Sequence, residues 1–251
     1  MAARIDPPHR CRRLKRNMSL KTGKGNKMST TAEKIRALWN VIETELDQHA
    51  PLILKSLNPG ATEDRVVQLE GIVGLSLPED MRQSLLVHDG QSPKISYLDG
   101  TRMKTGAVSL FETNWVLPVE SIISFWTSMR DLAKGDLFDV YRCDWPGLQK
   151  DSRIKHVDYW NTGWIPITDS EGDSFCLDLA PTAEGRPGQV FHFCRGDHWP
   201  RGDGVRPWRV LAPDYTSWLA MIASLLTEGR YQVDASGRTI WFEPEGAFYT
   251  I

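Results

Sequence analysis

The chain has 251 residues, 41% of them apolar and 25% charged, enough to bury a core without disulfides or a structural metal. Its net charge of −2 joins two unlike parts: residues 1–30 hold nine Lys/Arg and one acid, which leaves 21 basic and 31 acidic residues, a charge of −10, in 31–251. A body of that sign argues against nucleic-acid binding by the folded part and favours basic partners.

Residues 1–28 are basic, polar and poor in apolar side chains, the composition of a disordered tail. Such a tail suits a nucleic acid or a membrane surface; equally, Met18 and Met28 are plausible starts that would make it an over-extended leader. It has no apolar stretch of a secretory signal, and no run in the chain approaches the roughly 20 residues that span a bilayer. Cys11, Cys143, Cys176 and Cys194 show no CxxC spacing, which predicts free thiols in a reducing cytoplasm.

Folded structure is expected from Thr30. Thr30 and Glu33 are spaced as a capping box, and Ile35, Leu38, Trp39, Ile42 and Leu46 recur on one helical face. Asn58-Pro59-Gly60 is a turn signal, after which Thr62 caps a helix burying Val66, Leu69 and Val73. Pro78 at a first helical position opens another helix, which ends near His88-Asp89-Gly90. Residues 91–117 hold short β-like pieces between glycines, and Pro118 opens a helical segment with Ile122, Ile123, Phe125, Trp126 and Met129.

Beyond that segment the pattern changes to short apolar runs bounded by turns: Trp164–Ile167, Phe175–Leu179, Val190–Phe193 and Trp208–Leu211. Asp169 to Asp173 is a hairpin connection. Pro213-Asp214 starts a last helix bearing Trp218, Ile222 and Leu225 and stopped at Gly229. A final hairpin pairs Tyr231–Val233 with Thr239–Phe242. Helices first, an antiparallel meander next and a helix after it predict one α+β domain, a central mostly antiparallel sheet with helices at its N- and C-terminal sides. The expected organisation is a tail (1–28), the domain (29–230) and a C-terminal hairpin extension (231–251).

The common catalytic signatures are missing: there is no P-loop, no GxGxxG after a strand, no GxSxG and no HExxH. Cys194 and His198 with nearby His192 lack the second ligand pair of a zinc site, and the alternation of His192 with Phe191 and Phe193 places it on the solvent face of a strand. Asp169, Glu171 and Asp173 echo a calcium loop without its length or terminal bidentate Glu, so a solvated turn is expected. No catalytic residue, metal or other cofactor is assigned. The ten tryptophans are unusual; Trp164 and Trp208 fall in strands and fill the core, while Trp199, in a glycine-rich loop, fits an exposed anchor.

Two blocks carry a family resemblance. The first runs from Gly60-Ala61-Thr62-Glu63 through Gly74-Leu75-Ser76-Leu77-Pro78-Glu79-Asp80 to His88-Asp89-Gly90-Gln91. The second runs from Trp164-Ile165-Pro166 through Gly172-Asp173, Cys176-Leu177-Asp178-Leu179 and Gly188-Gln189-Val190 to Leu211-Ala212-Pro213. Together they resemble the SUKH superfamily, which includes fungal cell-wall-assembly regulators and bacterial immunity proteins. The resemblance spans about 31–230 and implies an α+β fold without an active site. Most motif positions read as turns and core, with Asp178 on the face opposite Leu177 and Leu179.

Resemblance and charge together lead to a non-enzymatic, cytoplasmic protein-binding domain. The first expectation is an immunity protein that occludes a basic toxin domain such as a nuclease. Its partner-binding residues would be Asp169, Glu171 and Asp173 in the turn, with Asp197 and Trp199. The alternative is a regulatory adaptor of cell-wall assembly or signalling. A hydrolase using Asp and His residues would need a pocket of several titratable groups, which the sequence does not advertise.

Overall fold

In the computed structural model the described residues are 29–99, 101–111, 113–134, 151–155, 157, 160–170, 173–193 and 208–243. The chain enters its first helix, α1 (Thr31–His49), through the capping box: Thr30 Oγ1 accepts the Glu33 amide while Glu33 accepts the Thr30 amide. Ile35, Trp39, Ile42 and Leu46 are buried along one face, and Leu38 lies at its margin. A short helix not foreseen from periodicity, α2 (Pro51–Ser56), follows at once; its six residues are too few to show a helical repeat.

Thr62 caps α3 (Glu63–Val73), and α4 (Glu79–Val87) begins one residue later than expected, with Pro78 as its N-cap rather than its first helical residue. An antiparallel ribbon, β1 (Lys94–Asp99) and β2 (Arg102–Ala107), comes next, then β3 (Trp115–Val116) and α5 (Val119–Leu132). The central sheet is made of β4 (Trp164–Pro166), β6 (Ser174–Asp178), β7 (Gln189–Phe193) and β8 (Arg209–Ala212), antiparallel throughout in the order β4-β6-β7-β8. Between β4 and β6, β5 (Thr168–Asp169) turns aside to pair with β3 and ties the helical half to the sheet. Asp214 caps α6 (Tyr215–Thr227), and β9 (Tyr231–Val233) pairs with β10 (Ile240–Phe242). These are the helices and antiparallel strands of a single α+β domain.

Both faces of the sheet are covered, which explains the burial of β4, β6 and β7 at every position. One face carries Trp164, Phe191, Phe193 and Trp208, with Trp160 edge-on to Trp164 at 5.5 Å and Phe125 of α5 against Trp160. The other face carries Phe175, packed on Trp218 of α6 and on Phe111. His192 belongs to this second face, 2% exposed and 5.7 Å from Phe175 between ring centroids. The solvent-face expectation for His192 is therefore wrong: alternation selects a face, but α6 covers the face it selects. The tryptophan expectation for the strands holds, since Trp164 and Trp208 are fully buried.

The N-terminal helices join the same core through a polar chain. Trp39 Nε1 donates to Ser84 Oγ at 2.8 Å, and Ser84 Oγ lies 3.0 Å from the Tyr215 hydroxyl, linking α1, α4 and α6. Burial pushes the Tyr215 phenol up to about 12, so it keeps its proton at physiological pH. Asp80 accepts the Thr216 amide (2.9 Å) and hydroxyl (3.1 Å), a second tie between α4 and the start of α6.

Candidate functional site

The segment His88-Asp89-Gly90-Gln91 is a junction of four elements. His88 Nδ1 faces the Asn58 carbonyl at 2.8 Å and Nε2 faces Glu43 of α1 at 2.6 Å. A carbonyl only accepts, so Nδ1 donates. Asp89 Oδ1 accepts the Val119 amide at 2.6 Å, capping α5, whose own Pro118 offers no side-chain cap. Gly90 has φ +61, and a Cβ there would lie 2.4 Å from the Leu117 carbonyl carbon, so glycine is demanded twice. Gln91, fully buried, donates to Ser56 Oγ (2.8 Å) and accepts the Val116 amide (3.0 Å). Each of these polar side chains is spent on architecture.

A second junction lies at the end of the sheet. Asp178, opposite Trp164 and Gln189, is fully buried. Its face is the one alternation predicts, but that face is interior. The carboxylate accepts the Ala180 amide (3.0 Å) and Gln189 Nε2 (3.1 Å), while Gln189 also reaches the Arg153 carbonyl and the Arg186 amide. Desolvation pushes the Asp178 carboxyl up; the Ala180 amide and Gln189 oppose it, and the Trp164 indole, short of full hydrogen-bond geometry, contributes least.

Outside this knot lies a shallow depression of about 270 Å³ walled by Arg153, Glu184, Arg186, Gln189 and the β8–α6 turn. Two of its charged side chains are engaged within the protein. Arg153 forks onto Asp151 at 2.8 and 2.6 Å, which holds the Asp151 carboxyl below the usual carboxylate range, and Glu184 accepts Ser152 Oγ at 2.6 Å. The depression offers hydrogen-bonding edges to a docking side chain, not a poised acid–base pair.

Of the five acidic and aromatic positions expected to bind a partner, Asp169 and Asp173 are half-buried at the β5–β6 turn. Ser170 and Asp173 bridge across it, and Ser170 Oγ donates to Thr113 at 2.8 Å. Glu171, Asp197 and Trp199 lie outside the described residues, as do the tail 1–28, Cys11, Cys143, Cys194 and His198. Cys176 is buried at the sheet centre, where desolvation pushes its thiol well above its ordinary value and leaves it a poor nucleophile. Among the described residues no cluster of three or more His, Cys, Asp or Glu could hold a metal, and no helix is long and apolar enough to cross a membrane.

The β1–β2 ribbon was missed as a candidate surface. Its signal was present in Lys94, Arg102 and Lys104 on a chain whose body is acidic, but the stretch read only as short β-like pieces between glycines.

Comparison with known proteins agrees with this geometry. The profile of the SMI1 / KNR4 family (SUKH-1) matches residues 60–221. The chain belongs to this family. Similar proteins include a KNR4/SMI1 homolog of Yarrowia lipolytica, 25% identical, with 85% of this chain and 33% of that protein covered. A glucan synthesis regulatory protein of Neurospora crassa is 24% identical over 80% of this chain and 40% of its own length. The cell wall biosynthesis/cell cycle regulator smi1 of Schizosaccharomyces pombe is 25% identical, covering 80% and 38%. The chain thus spans between a third and two-fifths of these relatives. Their names favour the regulatory reading over toxin immunity.

Proposed function

We propose that this chain is a non-catalytic, cytoplasmic protein-binding module that regulates cell-wall assembly or a signalling path feeding it. The observation that carries this reading is the match to a family whose similar members are named as regulators of glucan synthesis and the cell wall. The use of the motif residues supports it: His88, Asp89, Gln91 and Asp178 are engaged in internal hydrogen bonds, which suits a scaffold that presents a surface.

Co-purification from the native host with the tagged full chain, followed by mass spectrometry, tests the reading. Recovery of cell-wall synthesis or signalling proteins is the expected result. Recovery of a single basic toxin domain would overturn it in favour of immunity. In that case Asp169, Glu171, Asp173, Asp197 and Trp199 form the proposed contact face, and charge reversal at the three turn acids slows association at low salt.

A further inference from the structure

The β1–β2 ribbon reverses the sign of the body locally. Residues 94–107 carry Lys94, Arg102 and Lys104 against a single acid, Asp99. Lys94 and every residue from Arg102 to Thr105 are exposed. Two further cations flank the ribbon: Lys55 of α2, whose Nζ donates to the Ser96 carbonyl at 3.2 Å, and Arg238, whose guanidinium lies over the Tyr97 ring at 5.5 Å and donates to the Ala107 carbonyl at 3.1 Å.

The two long sides of the ribbon are not equivalent. The β1 side is occupied by α2, through Lys55 and through the Ser92 amide, which donates to the Ser56 carbonyl. On the other side, β2 has β1 as its sole neighbouring strand among the described residues. A strand with one neighbour presents backbone donors and acceptors that a further strand can use. Arg238 already takes the Ala107 carbonyl at one end of that edge, and Met103, 67% exposed, adds an apolar contact near the other.

We propose that β2 is a docking edge for an extended acidic segment of a partner protein, which adds as a third strand. The segment's carboxylates lie beside Arg102 and Lys104, which share one face of the strand, while Lys94 on β1 adds to the positive field from the other face. The charges select this occupant over a second copy of the chain, because two β2 edges side by side would oppose arginine and lysine to their like. They select it over a nucleic acid because a phosphate polymer long enough to cross several cations here would also run against the −10 body. This inference rests on the reading of the chain as an interaction module and names the partner chemistry of one of its surfaces.

The test uses the full chain and a fluorescent synthetic peptide of alternating Glu and Val, with three control probes: a Lys/Val peptide, a single-stranded oligonucleotide and anionic phosphatidylserine vesicles. The acidic peptide is expected to bind at low salt and to protect the outward-facing amides of Met103 and Thr105 from hydrogen exchange. The double variant Lys94→Glu/Arg102→Glu is expected to bind about tenfold more weakly, with an unchanged circular-dichroism spectrum and thermal midpoint. Absence of peptide binding, or binding indifferent to the double variant, overturns the proposal. Equal or tighter binding of the oligonucleotide or the vesicles, lost in the same variant, overturns it in favour of a general anion surface. Repeating the host co-purification with this variant separates the two readings: unchanged recovery of cell-wall partners removes the ribbon from their recognition while leaving the module intact.

Discussion

The four-stranded sheet and the β1–β2 ribbon are both antiparallel, yet they are built on opposite terms. In the sheet, β4, β6 and β7 are buried on both faces, and the buried Asp178 and Gln189 satisfy each other and the neighbouring backbone. In the ribbon nearly every described side chain meets solvent, and among those described Ile95 is the one buried apolar anchor. The family motifs fall in the sheet and in the helical junction; the ribbon has none. Motif density here marks positions where the backbone tolerates one side chain, whereas a docking surface is constrained by charge and shape and leaves a fainter trace.

The contrast can be broken most severely at the sheet. Trp164→Ala removes the ring that touches Trp160, Phe191, Phe193 and Trp208, and about 3–5 kcal/mol of stability is expected to go with it in urea unfolding. Gly90→Ala places a methyl against the Leu117–Pro118 backbone at positive φ and is expected to cost about 3 kcal/mol, measured the same way. Asp178→Asn puts an amide donor against Gln189 Nε2, or forces Gln189 to turn and abandon the Arg186 amide. The expected loss is about 2 kcal/mol. Lys94→Glu/Arg102→Glu in the ribbon is expected to change stability by no more than about 0.5 kcal/mol, since neither side chain is buried.

The smallest effect is a pH dependence. Burial raises the Asp178 carboxyl, so the folded state holds this proton more tightly than the unfolded chain, and ionisation costs stability at neutral pH. That cost is relieved as pH falls through the raised value, so the wild type should gain on Asp178→Asn in mildly acidic urea titrations. Asp151 has the opposite sign. Arg153 holds it low, and the stability it contributes is present above the usual carboxylate range and lost as pH falls through its depressed value. An Asp151→Asn variant should therefore approach the wild type in stability at the acid end of the same titration.

Much of this fold was legible in the sequence, because its local chemistry agrees with its architecture. Thr30, Thr62 and Asp214 cap the helices that their spacing announced, and Gly229 follows the last one. What periodicity missed was the short α2 and the burial of His192, since a period of two names a face without saying whether another layer covers it. The candidate surfaces were the least legible. Asp169 and Asp173 stood out by charge alone, while the ribbon's cations were overlooked because Gly100 and Gly106 interrupt the strand pattern around them.

The placement of α1 and β10 bears on where this molecule can be cut. The family profile begins at residue 60 and ends at 221, but Ile35, Trp39 and Ile42 from before it and Ile240 and Phe242 from after it sit in the shared core. Glu43 and Ser56, which complete the contacts of His88 and Gln91, also precede it. A fragment trimmed to the profile would end inside α6, uncover Phe111 where Phe242 stacks on it, leave Ser84 without the Trp39 donor, and present an apolar surface prone to association. The boundary of the packed core therefore lies outside the limits of the family profile on both sides.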